Sequence, residues 1–212
     1  METITLRPDR LPALRRARVL NRLTIGWNVV EGAVAVVAGA AAGSISLVGF
    51  GLDSGIEVSA SAILAWRLAQ ERKGGCMAAR DRRATRLIAV SFAALAVYVV
   101  VEGSRDLLDG ARPEASVVGV VLTALSLLVM PALARAKGRL APALGSRAVA
   151  AEANQTSLCA ALSAVTLLGL GLNASLAWWW ADPLAALVIG GLAASEAVRT
   201  WRAESLQDTC CG

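Results

Sequence analysis

Residues 45–66 read ISLVGFGLDSGIEVSASAILAW, and this stretch decides the fold. As an α-helix it is long enough to cross a hydrocarbon core of roughly 30 Å, although it carries two acids, Asp53 and Glu57. Similar apolar stretches recur on both sides, with charged segments between them. The pattern predicts an all-α, polytopic membrane protein with six transmembrane helices. We place these spans near residues 23–42, 45–66, 87–108, 117–134, 149–172 and 178–198.

Composition excludes an ordinary soluble domain. Of the 212 residues, 56% are hydrophobic and 17% are charged, so the lipid bilayer is the solvent for most of the chain. Nineteen of the 21 basic residues fall in the two terminal segments and in the links at 67–86 and 135–147, and only Arg105 and Arg112 fall on the other side. This split predicts that both termini are cytoplasmic, most simply in the plasma (inner) membrane. It also explains the net charge of +5 without nucleic-acid binding.

The predicted organisation has three parts: a basic cytoplasmic arm (1–22), one six-helix transmembrane domain (23–202) and a short cytoplasmic tail (203–212). We expect no cleaved signal peptide, because the arm has no apolar region and the first span is too long. The helices should form three hairpins with short outer links near Gly43 and Asn173. We expect all four cysteines to be free thiols, because Cys159 lies in a span and the others face the reducing cytoplasm.

Small residues recur four positions apart, at Gly39 with Gly43 and at Gly51 with Gly55. This spacing lets neighbouring helices approach closely in lipid. Ordinary helix packing is the favoured interpretation; the alternative is a helix drawn close to a ligand site beside Asp53.

The outer end of the last span carries three tryptophans at 178–180, followed by Asp182 and Pro183. Indole rings favour the membrane interface, so the tryptophans indicate an anchor. Aspartate followed by proline is typical of a helix start, and we favour a capping role for Asp182 over metal binding.

Four carboxylates lie inside the predicted spans: Glu31, Asp53, Glu57 and Glu152. A carboxylate at bilayer depth costs several kcal/mol unless it is paired, hydrated or coordinated, so each is a candidate functional residue. Asp53 and Glu57 are four apart and therefore project from one helix face, about one turn from each other. They are the strongest signal of a cation site.

A second polar stripe follows the fifth span, where Glu152, Gln155 and Cys159 share one face. Counted from the span ends, Cys159 reaches a depth similar to that of Asp53 and Glu57. Together with Gln155 these side chains could surround a divalent ion, and the thiolate would favour zinc over magnesium. The alternatives left open are helix packing for the amide and an apolar filler for the thiol.

A second tier of candidates for the metal or for protons completes the set. Glu152 is one, and Glu31 reaches similar depth on the first span with Asn28 on its face.

The stretch from Gly43 to Glu57 resembles the second-helix motif of the cation diffusion facilitator family, with Asp53 and Glu57 on its two metal ligands. The segment 152–159 is similar to the fifth helix of that family, where Gln155 and Cys159 stand in place of the usual His and Asp. Segments 101–105 and 180–186 resemble the end of its third helix and the start of its sixth.

The resemblance implies a transporter, not an enzyme. It implies a six-helix membrane domain with both ends inside, acting as an alternating-access homodimer. Its activity would be export of Zn²⁺ or another divalent transition metal from the cytoplasm in exchange for protons. The sequence departs from the family in its fifth-helix ligands and in lacking a histidine-rich loop, and we expect no cytoplasmic metal-sensing domain after Arg202.

Two other functions compete with transport. One is a non-transporting membrane protein that binds metal as a sensor or accessory subunit. The other is an intramembrane enzyme with Cys159 as nucleophile, which is disfavoured because the chain has no histidine to act as its base.

Overall fold

The computed structural model describes residues 10–70, 78–144 and 147–205. Within these ranges the chain is all-helical and forms six long helices, which confirms the predicted fold class. They are α1 (Arg10–Ala42), α2 (Ile45–Gln70), α3 (Ala78–Asp109), α4 (Val117–Leu144), α5 (Arg147–Leu176) and α6 (Ala181–Ser205). Cys76, Cys210 and Cys211 lie outside the described residues, whereas Cys159 is a free, buried thiol as expected.

Several helices extend beyond the predicted spans. α1 begins at Arg10, so residues 10–22 of the predicted basic arm are helical. α4 continues to Leu144, ten residues beyond the predicted end at Ala134, because its inner face keeps a helical period. The predicted start of the last span is wrong in the other direction: α6 begins at Ala181, and the tryptophans at 178–180 precede it.

Five of the six helices are long and apolar enough to cross a membrane. The helix missing from this set is α2, which has sufficient length at 26 residues. Within its apolar stretch α2 carries two acids, Asp53 and Glu57, and both are buried.

α2 lies at the centre of the bundle and packs against α1, α3, α5 and α6. The most extensive pairings are α1 with α2, α4 with α5 and α3 with α6. The prediction of three sequential hairpins is therefore wrong for the middle pair, because α3 packs along α6 and not along α4. Cross-pairing of this kind brings α1, α2, α4 and α5 around one interior.

The glycine spacing has two different structural meanings. Gly39 and Gly51 lie where α1 and α2 approach most closely, and a Cβ on Gly51 would come within 2.8 Å of Val36. Gly43, in contrast, ends α1 with φ of +65°, and the amide of Ser44 closes the turn on the carbonyl of Gly39 at 2.9 Å. Gly55 has open space around it.

This contrast gives a matched pair of substitutions on α2. We expect Gly51→Ala to lower the free energy of unfolding by about 1.5 kcal/mol, because the new methyl group must push α1 away. Gly55→Ala should be neutral or slightly stabilising, since alanine is the better helix former. Thermal unfolding in detergent micelles measures both, and equal stability of the two variants would contradict the prediction.

Asp182 joins the start of α6 to the start of α2. Its carboxylate accepts hydrogen bonds from the hydroxyls of Ser44, at 2.7 Å, and Ser46, and from the backbone amide of Ser46 at 3.4 Å. All three side chains are buried. Capping is thus the role that the structure gives Asp182, but the helix it caps is α2 and not its own.

Candidate cation site

A continuous polar surface runs through the interior between α1, α2, α4 and α5. On α1 and α5 these side chains are spaced three or four residues apart, which places them on one face. α2 adds the adjacent pair Asp53 and Ser54, and on α4 Lys137 follows Ser126 by eleven residues. All of them are buried, in a bundle whose other contacts are mostly apolar. The members are Asn21, Thr24, Asn28 and Glu31 on α1; Asp53, Ser54, Glu57 and Ser61 on α2; Thr123, Ser126 and Lys137 on α4; and Glu152, Thr156, Cys159, Ser163 and Thr166 on α5.

The structure brings together Asp53, Glu57 and Cys159, which the sequence placed on two different spans. Asp53 and Glu57 are at most 3% exposed, and Cys159 is fully buried. The Cys159 side chain interacts with both carboxyl groups across the α2–α5 contact. Two carboxylates and a thiol therefore lie near one another inside the bundle.

Asn28 completes this group from α1. Its amide lies beside Glu57, yet neither its Oδ1 nor its Nδ2 has a hydrogen-bond partner among the described residues. The Oε2 atom of Glu57 is also buried and unpartnered. Buried polar atoms are almost always satisfied in proteins, so Asn28 and Glu57 have oxygen atoms available to a ligand. Oxygen atoms of this kind suit a divalent cation.

Gln155 occupies a less defined position, half-buried one turn before Cys159. Its Nε2 is buried without a hydrogen-bond partner in the described structure. Moreover, across residues 10–70, 78–144 and 147–205, no three Asp, Glu or Cys side chains converge closely enough to hold a metal ion alone. Binding a metal ion at these residues would thus require their side chains to move closer together.

Glu31 lies among polar neighbours from α1, α2 and α4. Its Oε1 accepts a hydrogen bond from Trp27 Nε1 at 3.1 Å, and its Oε2 accepts one from Ser54 Oγ at 3.2 Å. Ser126 lies beside it on α4. Glu31 is therefore already satisfied by neutral donors, unlike Glu57.

Glu152 is held by a basic residue that the sequence reasoning assigned to a cytoplasmic loop. Lys137 lies in α4 and not in a loop, which corrects that assignment, and its Nζ is 3.0 Å from Glu152 Oε1. Ser61 donates to the same oxygen at 2.8 Å. Lys137 also donates to Thr156 Oγ1 at 3.1 Å, and Thr156 donates to Glu57 Oε1 at 2.7 Å.

Lys137 and Thr156 are thus functional candidates that sequence reasoning missed. Both had a detectable signal. Thr156 follows Glu152 by four residues, on the same helix face. Lys137 continues the inner-face spacing of Ser126 and Met130 beyond the apolar part of α4.

Comparison with known families supports a cation-handling role. The family model of the cation efflux transmembrane domain matches residues 83–207, which include α4, α5, α6 and most of α3. Among curated proteins, none matches the chain. The family match begins after α2, so the importance of Asp53 and Glu57 rests on the geometry described above. The resemblance seen in the sequence is confirmed: the chain belongs to the cation efflux family and is an integral membrane protein that transports cations.

Proposed function

We propose that the protein exports a divalent transition metal, with zinc favoured, from the cytoplasm by exchange with protons. The observation that carries this proposal is the buried group of Asp53, Glu57 and Cys159 with the unpartnered oxygen atoms of Glu57 and Asn28. A thiol and two carboxylates form a donor set of mixed softness, which favours zinc over magnesium or calcium. Gln155 is proposed as a further ligand from α5.

Proton exchange follows from the chemistry of the same groups. Carboxylate and thiolate ligands bind either a proton or a metal ion, so metal binding releases protons. Without a cation, two adjacent acids in a low-dielectric interior cannot both remain ionised at low cost. A site of this kind takes up the metal ion when its protons leave and releases it when protons return.

The polarity of transport rests on the orientation of the chain. We propose cytoplasmic termini, supported by the 19 to 2 distribution of basic residues. Impermeant thiol reagents applied to intact cells should then label Arg112→Cys and not Arg139→Cys. We also propose a homodimer, which the family resemblance implies; light scattering on the purified protein would give the number of subunits.

The decisive experiment is zinc uptake by proteoliposomes that contain only this protein, with an imposed pH gradient. We expect uptake that is driven by the gradient and that collapses when a protonophore dissipates it. Uptake that ignores the gradient would overturn the antiport proposal. If well-folded protein moves no zinc, manganese, iron or cobalt, the proposal of divalent-metal transport is overturned. That result would favour the alternative of a non-transporting sensor or accessory subunit.

A further inference from the structure

Lys137 is a buried cation on the polar surface described above, whose other charged members are all acids. Among the basic residues whose side chains the structure describes, every other one is exposed, whereas Lys137 is 2% exposed. Its neighbours include Glu152 and, through Thr156, Glu57. A buried lysine is costly unless paired, so its position requires a specific gain.

The hydrogen-bond directions show how Thr156 is shared between Lys137 and Glu57. An ammonium group can only donate hydrogen bonds, so Thr156 Oγ1 must accept from Lys137. The hydroxyl proton of Thr156 is then available for Glu57 Oε1 or for the carbonyl of Glu152. Of the two acceptors, Glu57 Oε1 is the closer, at 2.7 Å against 3.0 Å. Glu57 is thereby held through one oxygen, and Oε2 is left unpartnered.

The same lysine neutralises Glu152. Lys137 Nζ and Ser61 Oγ both donate to Glu152 Oε1, at 3.0 and 2.8 Å. Glu152 is on the same face of α5 as Thr156 and Cys159, within one to two turns of the candidate cation ligands. Without Lys137, Glu152 would place an uncompensated negative charge beside the site.

We propose that Lys137 is an affinity-setting residue: it cancels the charge of Glu152 beside the candidate cation ligands, while Thr156 keeps its own hydrogen bond to Glu57. Cation affinity is therefore held below the value that a third ionised carboxylate would give. A transporter needs this limit, because an ion bound too tightly is released slowly. The inference rests on the proposed function, since it assumes that Asp53 and Glu57 bind the transported ion.

Equilibrium binding of ⁶⁵Zn²⁺ to the purified, detergent-solubilised full chain at pH 8 tests this with four variants. Lys137→Met should lower the Kd for zinc about tenfold, because Glu152 then acts as an uncompensated anion. Glu152→Gln should raise the Kd by a similar factor, because Lys137 then repels the ion. Lys137→Met/Glu152→Gln should return the Kd to within about threefold of wild type. Arg139→Met, an exposed cation on the same helix, should change nothing.

The signs of these shifts separate electrostatic tuning from a purely structural role, which would weaken binding in all three variants. A weak double variant would show that Glu152 is itself a ligand and would overturn the proposal, as would an unchanged Kd in Glu152→Gln. If Lys137→Met fails to fold, Glu152→Gln and the double variant still decide the question. Binding without uptake by wild-type protein would contradict only the transport proposal, whereas a wild-type protein that binds no zinc would overturn the role of Lys137.

Discussion

Asp53→Asn is expected to abolish zinc uptake, to the level of liposomes without protein. The substitution keeps the size of the side chain and one oxygen atom but removes the negative charge and the exchangeable proton. Substituting a residue that hydrogen-bonds to a metal ligand commonly lowers metal affinity or activity 10- to 100-fold. Loss of a proposed direct ligand should therefore lower zinc uptake by more than about 100-fold. Uptake of ⁶⁵Zn²⁺ under an inward-directed driving gradient measures the effect.

The protein should remain folded when Asp53 is replaced. Because Asp53 is buried with an acidic neighbour, neutralising it removes repulsion, and the thermal unfolding temperature should be unchanged or higher. Asp109→Asn provides the control, since this acid is exposed at the end of α3 and uptake should be normal. Appreciable uptake by Asp53→Asn would remove Asp53 from the transport path.

Asp182→Ala should produce the largest loss of stability, about 2 to 3 kcal/mol in the free energy of unfolding. The carboxylate satisfies two buried hydroxyls and one backbone amide at the start of α2, and alanine leaves all three without that acceptor. Chemical unfolding in detergent micelles, followed by far-UV circular dichroism, measures the difference from wild type.

A graded series sharpens this prediction. Asp182→Asn retains one acceptor oxygen, so its loss of stability should be roughly half of the loss caused by Asp182→Ala. Asp109→Ala, which removes an exposed acid, should unfold like wild type. Wild-type stability of Asp182→Ala would mean that water replaces the carboxylate where α2 and α6 begin.

The sequence alone determined the parts of this protein that depend on local pattern. Apolar stretches of bilayer length predict six helices, because backbone groups in lipid must be satisfied within each segment. Acids inside such stretches mark candidate functional residues, because an unpaired charge is so costly there. Asp53, Glu57, Glu31 and Glu152 were all identified in this way, and all four are buried.

Only the tertiary structure decided which of these acids remain available. Glu152 is already neutralised by Lys137, and Glu31 is satisfied by Trp27 and Ser54, whereas Glu57 keeps an unpartnered oxygen. Helix periodicity gives the face of a residue but not the neighbouring helix, so it could not anticipate that α3 pairs with α6. For the same reason Asp182 could be recognised as a cap, while the helix it caps, 136 residues away, could not. Partnership across helices is set by packing of the whole bundle, and that information is not present in any single segment.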